Sequence, residues 1–423
     1  MAAPATHSPE EVRAAFEAWL DEAWDPALTV RDWWRRLAEA RYAMPDLPEP
    51  WGRGYDRDCT RAVGLALKAR DALGAPGGVG TALTAPTLLE HGTPEQLDRF
   101  LPRILDGTDG WCQLFSEPGA GSDLAGLQTR AVRDGDEWVV TGQKVWTSTG
   151  QHADFGILIA RTDPAQPKHQ GISYFLFPMH QPGVEVRPLR EMTGHAVFNE
   201  VFFDEARAPH ANLLGGLNQG WAVTNTTLRH ERAGIGENES VFGRAFPGSV
   251  AGHLDRPAGE FLRSRPAISQ GTISGRTVQR LTRLASEHGR LGDPLVRQRL
   301  AELHARAEIV RMTALRHRAG IGRTGVDGPL AKLRMTDLVR RARELGGLIL
   351  GPQAQLWGPE SETEGWLQEV IVFSPAPSIY GGTDEVQRNV VGERGLGLPK
   401  EPGPARDTPF RELLANAAPS GRG

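Results

Sequence analysis

Apolar residues recur every four positions at Val12, Phe16 and Leu20, which predicts a helix with one buried stripe. Ser8-Pro9-Glu10-Glu11 supplies its start: a capping oxygen, a proline at the first helical position and acids in the first turn. Thr93-Pro94-Glu95-Gln96 is a capping box, and Leu97, Leu101 and Ile104 follow it at helical spacing. The Pro- and Gly-rich run from Pro45 to Gly54 between them is a loop. The pattern changes near Trp111. Glu137 to Ser148, Phe155 to Ala160, Ile172–Phe177 and Val201–Phe203 are short, β-branched or aromatic runs, punctuated by Asp134-Gly135 and Pro182-Gly183. No helix-length segment separates them, so an antiparallel sheet is expected. Helical spacing returns after Gly220. Val296, Leu300, Leu303, Ala307 and Val310 suit a bundle seam, and Leu338, Ala342 and Leu345 mark another helix. The run from Gly243 to Gly275 has no period and reads as an irregular insert.

The expected organisation is α+β. A helical domain spans 1–110, a β domain 111–217 and a four-helix-bundle-like domain 218–400 that carries the insert 243–275. A loosely held tail spans 401–423. A length of 423 residues accommodates that many units. The 50 Gly and 31 Pro make the chain loop-rich without a disordered composition.

Charge and motif content narrow the chemistry. With 48 Lys and Arg against 52 Asp and Glu, the chain lacks the basic excess of a nucleic-acid binder. Two cysteines, Cys59 and Cys112, exclude a disulfide framework and a cysteine-built zinc site, and the twelve histidines form no HExxH, so no metal is expected. None of the lysines, at 68, 144, 168, 332 and 400, follows a glycine, which excludes a GxxxxGK phosphate loop. No GxSxG elbow occurs. The N-terminus is acidic and no apolar run nears the membrane-spanning length, so the expected compartment is the cytoplasm, with no membrane partner.

Three segments carry candidate chemistry. Ser116-Glu117-Pro118-Gly119-Ala120-Gly121-Ser122-Asp123 is a Gly-rich turn after an apolar strand, able to bring backbone close to a planar or anionic ligand, or simply a surface turn. Gly142-Gln143-Lys144-Val145-Trp146-Thr147-Ser148 is a strand whose alternation puts Trp146 and Ser148 on one face, as core or as a ligand wall. Ser378-Ile379-Tyr380-Gly381-Gly382-Thr383-Asp384-Glu385 ends in a helix start: Thr383 is the cap, and Asp384 and Glu385 complement the dipole.

In this order and spacing the three segments closely resemble the signatures of acyl-CoA dehydrogenases, and the likeness runs from about residue 10 to about 400. The resemblance implies FAD, with Phe115, Ser116, Gly121 and Ser122 along the flavin ring and Trp146, Thr147 and Ser148 against its other contacts. It places Tyr380 to Gly382 at the substrate thioester, with Ser122 also at the substrate, and Thr383 and Glu385 near the ribityl–pyrophosphate stretch, where a helix N-terminus suits phosphate. It implies an acyl-CoA or acyl-carrier-protein substrate, α,β-dehydrogenation, an electron-transfer flavoprotein as acceptor, and a homodimer or homotetramer.

Two departures sharpen this. Many members carry the catalytic glutamate directly after the tyrosine of the third block. Gly381 stands there and can offer only its backbone N–H. Members that take the base from the first helix of the C-terminal domain carry a Glu-Arg pair there, and Leu228-Arg229-His230-Glu231-Arg232 occupies that place. Glu231 is therefore the implied base, and Arg232 the residue near the CoA moiety. Second, the insert interrupts a helix hairpin that in simpler members carries an Arg-x-x-Phe-Gly motif, which is absent. Gly351 matches a cross-subunit flavin segment whose usual Gln is missing. Similar inserts occur in a bacterial subgroup, some of whose members act on bulky, sterol-derived or otherwise unusual acyl chains. Two rival readings stand beside the dehydrogenase: a flavin oxidase or monooxygenase on the same fold, and a non-catalytic subunit of a hetero-oligomer.

Overall fold

A computed structural model describes residues 7–235, 247–264, 275–320, 324–358, 360–400, 405 and 407–417. The chain opens with α1 (Pro9–Ala23), α2 (Val30–Glu39), α3 (Arg57–Ala69), α4 (Ala85–His91) and α5 (Pro94–Leu105). Both expected capping boxes form, Ser8 with Glu11 and Thr93 with Gln96. Val12, Phe16 and Leu20 are buried against Trp33, Trp34 and Leu37. The two indoles are tied by their N–H groups to the carbonyls of Leu73 and Gly74, 2.6 and 2.9 Å away.

The strands are β1 (Trp111–Leu114), β2 (Arg130–Asp134), β3 (Glu137–Ser148), β4 (Phe155–Arg161), β5 (Ile172–Pro178), β6 (Val184–Leu189), β7 (Phe198–Pro209) and β8 (Leu213–Leu214). They make one sheet in the order β6-β7-β3-β2-β4-β5-β8, with β1 against β4. Most pairings are antiparallel, as expected, but β1–β4 is parallel, and so is the single Arg130–Arg161 register pair between β2 and β4. The crossover a parallel pair requires is made here by the β2–β3 hairpin instead of a helix. The run recognised at Val201–Phe203 is the middle of a strand four times that length, because β7 pairs along nearly all of β3.

The C-terminal helices are α6 (Gly220–Ile235), α7 (Ala258–Ser264), α8 (Gly275–Glu287), α9 (Pro294–Arg318), α10 (Asp327–Leu350), α11 (Trp366–Phe373), α12 (Asp384–Val390) and α13 (Phe410–Ala417). Leu281, Val296, Leu300, Leu303, Ala342, Leu345 and Leu367 form the core of the α8–α11 group. The string Gly320-Ile321-Gly322-Arg323-Thr324-Gly325 has the spacing of a dinucleotide fingerprint, yet it follows the helix α9 and lacks the strand that motif needs.

Two expectations change. Residues 243–246 and 265–274 of the insert lie outside the described residues. The part between them is ordered by tertiary contacts that a periodicity search does not see: Leu254, Ala258 and Phe261 join the N-terminal core. Val30 and Arg31 donate backbone bonds to Arg256 and Leu254 carbonyls, 2.9 Å each. The segment read as a loose tail is docked over its first described stretch. Phe410 is buried beneath the Arg161 guanidinium, 3.7 Å from its ring centroid, and its N–H donates to the Gln166 carbonyl.

Candidate active site

β1 delivers the first block. Beyond Leu114 the chain continues through Phe115, which is buried, into a tight turn closed by reciprocal Glu117–Ala120 backbone bonds of 3.0 and 3.1 Å. Glu117 turns inward. Its carboxylate accepts from the Gln128 and Thr129 N–H groups at 2.7 and 3.0 Å and from Lys144 Nζ at 2.9 Å. Lys144 Nζ also donates to the Phe115 carbonyl at 2.9 Å, so β3 is fastened to the turn. Burial pushes the Glu117 carboxyl upward, but the Lys144 charge and the donors around it prevail and hold it below the usual range. Burial likewise lowers the Lys144 ammonium, against the pull of Glu117. The turn leaves Gly121 and Ser122 at the surface, and a Cβ on Gly121 would meet nothing within 4 Å. Ser116 accepts from the Val145 N–H at 2.9 Å, which sets the second block beside the first.

The second block corrects the expected alternation. The β3–β7 register slips between Lys144 and Thr147, and Trp146 takes a left-handed φ of 61°. Such a bulge re-aims a side chain. Trp146 is therefore 56% exposed, with Phe198 edge-on at 5.8 Å, while Thr147 and Ser148 are both buried. Trp146 and Ser148 do not share a face in the way simple alternation predicts. The Thr147 hydroxyl has no hydrogen-bond partner although it is buried.

Glu231 lies on α6. That helix stacks Val223, Thr227 and Glu231 at four-residue steps on one side. The Thr227 hydroxyl is in a chain with Tyr174 of β5 at 3.1 Å and Thr87 of α4 at 3.0 Å, ending on the Leu83 carbonyl at 2.7 Å. Tyr174 in turn meets Phe115 edge-on at 5.9 Å. One turn beyond Thr227, Glu231 Oε2 accepts from Gln113 Nε2 of β1 at 3.3 Å. The flanking Arg229 and His230 face the other way and pair with Glu90 of α4. The side chain of Arg232 lies outside the described residues.

In the third block Gly381 and Gly382 have φ of +64° and +83°, which L side chains rarely adopt. A Cβ at Gly382 would also lie 2.5 Å from Gln387 Nε2, the atom that donates to the Gly381 carbonyl at 2.8 Å. Thr383 caps α12, accepting from Val386 N–H at 3.2 Å. Asp384 is more than a dipole partner: it is buried and holds Lys332, Thr336 and Arg340 of α10 at 3.5, 3.1 and 2.6 Å. Glu385 stays at the surface and pairs with Arg388. Tyr380 is 42% exposed, beside Phe373 of α11. Gly351 ends α10, eleven residues past Arg340 and so about 16 Å further along the axis. It is not gathered with the third block within this chain. The β6–β7 loop reaches the same region, His195 lying 3.4 Å from Glu369 of α11.

The arrangement thus brings the first two blocks and Glu231 together around β1, and the third block is pinned to α10. The residues fit a planar aromatic ligand with hydrogen-bonding edges. An exposed indole stands beside a glycine turn with open space, and a buried hydroxyl next to it has no partner. Sequence reasoning missed Gln113, Lys332 and Arg340. For Gln113 the signal was present, a polar residue inside the apolar run Trp111 to Phe115.

Comparison with known proteins bears directly on this geometry. Family models for the N-terminal, middle and C-terminal domains of acyl-CoA dehydrogenases match residues 8–108, 112–206 and 263–396. The acyl-CoA dehydrogenase IpdE1 of Mycobacterium tuberculosis is 37% identical over 374 residues, 88% of each chain. The chain belongs to the acyl-CoA dehydrogenase family. IpdE1 of Mycolicibacterium smegmatis is 39% identical over 76% of each chain. Among solved structures, the "Tcur3481-Tcur3483 steroid ACAD" aligns with a TM-score of 0.69 and 26% identity, covering 93% of this chain and 98% of that one. The ChsE4-ChsE5 complex from Mycobacterium tuberculosis aligns at 0.67 and 27%, covering 94% and 100%. Acyl-CoA dehydrogenases are flavin-dependent oxidoreductases. Among the described residues no helix is long and apolar enough to cross a membrane.

Proposed function

We propose that this acyl-CoA dehydrogenase binds FAD and carries out α,β-dehydrogenation of an acyl-CoA with Glu231 as the base. The observation that carries the reading is the Glu231 carboxylate meeting β1 at Gln113, two residues before the strand runs into the Phe115–Ser122 turn. FAD, when bound, supplies the acceptor for a hydride from the substrate β-carbon. The chain must do the rest. Trp146 offers a wall for a ring, and Ser116, Ser122 and Ser148 offer hydroxyls. The Gly381 N–H, in a glycine pair whose carbonyl is held by the Gln387 amide, is suited to polarise a thioester carbonyl and so acidify the α-proton. Tyr380 is the neighbouring alternative base, but a phenol with an ordinary value of about 10 is protonated at neutral pH, and the packing around the covered part of this partly exposed ring raises it further. Glu231→Gln keeps shape and removes basicity. Anaerobic flavin reduction by a panel of acyl-CoAs should slow about 10²–10⁴-fold, with flavin content unchanged. A variant as fast as the wild type overturns the assignment.

The substrate reading is a bulky, ring-bearing acyl chain, supported by the steroid named for the similar solved enzyme. Ring-bearing acyl-CoAs should reduce the flavin faster than straight chains of equal carbon number. A separate electron-transfer flavoprotein is the proposed acceptor. A second reading, pairing with a different homologous chain, is favoured by the two-component names of both similar structures.

A further inference from the structure

We infer that Gln113 is the positioning residue for Glu231: its side-chain amide fixes the carboxylate on α6 against the strand that feeds the Phe115–Ser122 turn. The inference rests on the proposed role of Glu231 and adds a second residue to it.

The argument begins with the pattern of β1. Its residues alternate between two cores. Cys112 and Leu114 pack into the cluster between β4, β5 and β7, whereas Trp111 and Phe115 pack into the cluster shared with α4, α5 and α6. Period two puts Gln113 on the second face, between Trp111 and Phe115. That face is otherwise apolar, and it is covered by Val223 and Leu228 of α6. A half-buried amide there costs free energy unless it finds a partner. Its Nε2 finds one at 3.3 Å in Glu231 Oε2. The strand side of this contact is rigid, since the Gln113 backbone is in register with Ile157, a fully buried residue of β4. The helix side is equally fixed, since Thr227, one turn earlier, is bonded to Tyr174 and Thr87. Two residues along a strand is about 6.6 Å, so the anchor stands within one side-chain length of Phe115, where the candidate ring site begins. A carboxylate at the end of a flexible Glu side chain has many rotamers. A donor on a fixed strand selects one.

Three variants of the full-length flavoprotein test this, with flavin content and acyl-CoA affinity measured on each. Gln113→Leu removes the amide and keeps an apolar fit. It should bind flavin and acyl-CoA normally and slow anaerobic flavin reduction by about 10- to 100-fold. In the Glu231→Gln background the same change should cost less than about twofold, because the group being positioned is gone and coupled residues do not add. Gln113→Glu with Glu231→Gln swaps the donor and acceptor; it should load flavin and remain slow, since the carboxylate then sits on the wrong element. If Gln113→Leu does not fold, Gln113→Asn replaces it, with a shorter amide that cannot reach, and the same loss is expected. Equal fold-losses in the wild-type and Glu231→Gln backgrounds would show that Gln113 acts on structure and overturn the inference, as would a wild-type rate for Gln113→Leu. The proposed base fails separately, if Glu231→Gln alone reduces flavin at full rate.

Discussion

At the scale of single residues, the buried ion pair Lys144–Glu117 ties the Phe115–Ser122 turn to β3. The side chain of Lys144 is completely buried and that of Glu117 nearly so, and they sit 2.9 Å apart. Such a pair adds little net stability, but breaking it is expensive, because one charge is left in the interior. Glu117→Gln should therefore cost about 3–5 kcal/mol and lower flavin occupancy, read by thermal melts and by the ratio of flavin to protein absorbance. The sign of its pH dependence follows from the lowered carboxyl. The stabilisation is complete above the unfolded carboxyl value of about 4.3 and is lost as pH falls through the lower folded value. The melting difference between wild type and Glu117→Gln should accordingly narrow in acid; a constant difference down to the lowest measurable pH would show that the pair is not the cause. Signature residues such as Glu117 and Lys144 were legible as members of a motif. Their pairing was not, because 27 residues and a hairpin separate them, and spacing alone does not say which side chains turn inward.

At the scale of elements, legibility follows the range of the forces. Capping boxes and apolar stripes are local, and Ser8 with Glu11 and Thr93 with Gln96 form as the residues alone dictate. The bulge at Trp146 is not local: it is set by the register of β7 against β3, so the strand was foreseen and the facing of its side chains was not. The described part of the insert shows the same limit. Its Gly, Pro and Arg content gives no period, yet Phe261 is stacked on His253 at 4.5 Å and buried in the core of α1–α3. The insert thereby straps the C-terminal half of the chain to its N-terminal helices. Phe261→Ala should cost about 3–5 kcal/mol, the usual range for emptying an aromatic core position. Melting of the N-terminal helices, followed by hydrogen exchange in α1 and α2, should be advanced while exchange in α8 to α11 stays unchanged. Exchange rates that rise equally in both regions would mean that the strap stabilises the whole chain and not this one contact.

At the scale of the molecule, α9 carries an exposed apolar stripe among the described residues. In its first half α9 buries Val296, Leu300 and Leu303. Further along, Ile309, Met312 and Leu315 are 53%, 57% and 48% exposed, and spacing by three keeps them within about a third of the helix circumference. Single exposed apolar residues are ordinary, but a stripe of three on one helix marks a contact surface. Gly351 points the same way. It stands about 16 Å along α10 from the Asp384 anchor, its φ is +57°, and a Cβ there would meet nothing within 4 Å. Both features suit a second chain, of the same or of a homologous sequence, that covers α9 and completes a flavin site. The expected result from light scattering is a dimer or tetramer of a 46.1 kDa chain carrying about one FAD per chain. Glu substituted together at Ile309 and Met312 would place two charges in that contact, which an apolar interface does not accept. The double variant should shift to monomer and lose FAD in proportion, while circular dichroism stays native. A wild-type monomer with full flavin would refute the shared site. A wild-type chain that is monomeric and flavin-free alone, and becomes yellow and larger with a co-expressed homologue, would identify the second chain as a different one.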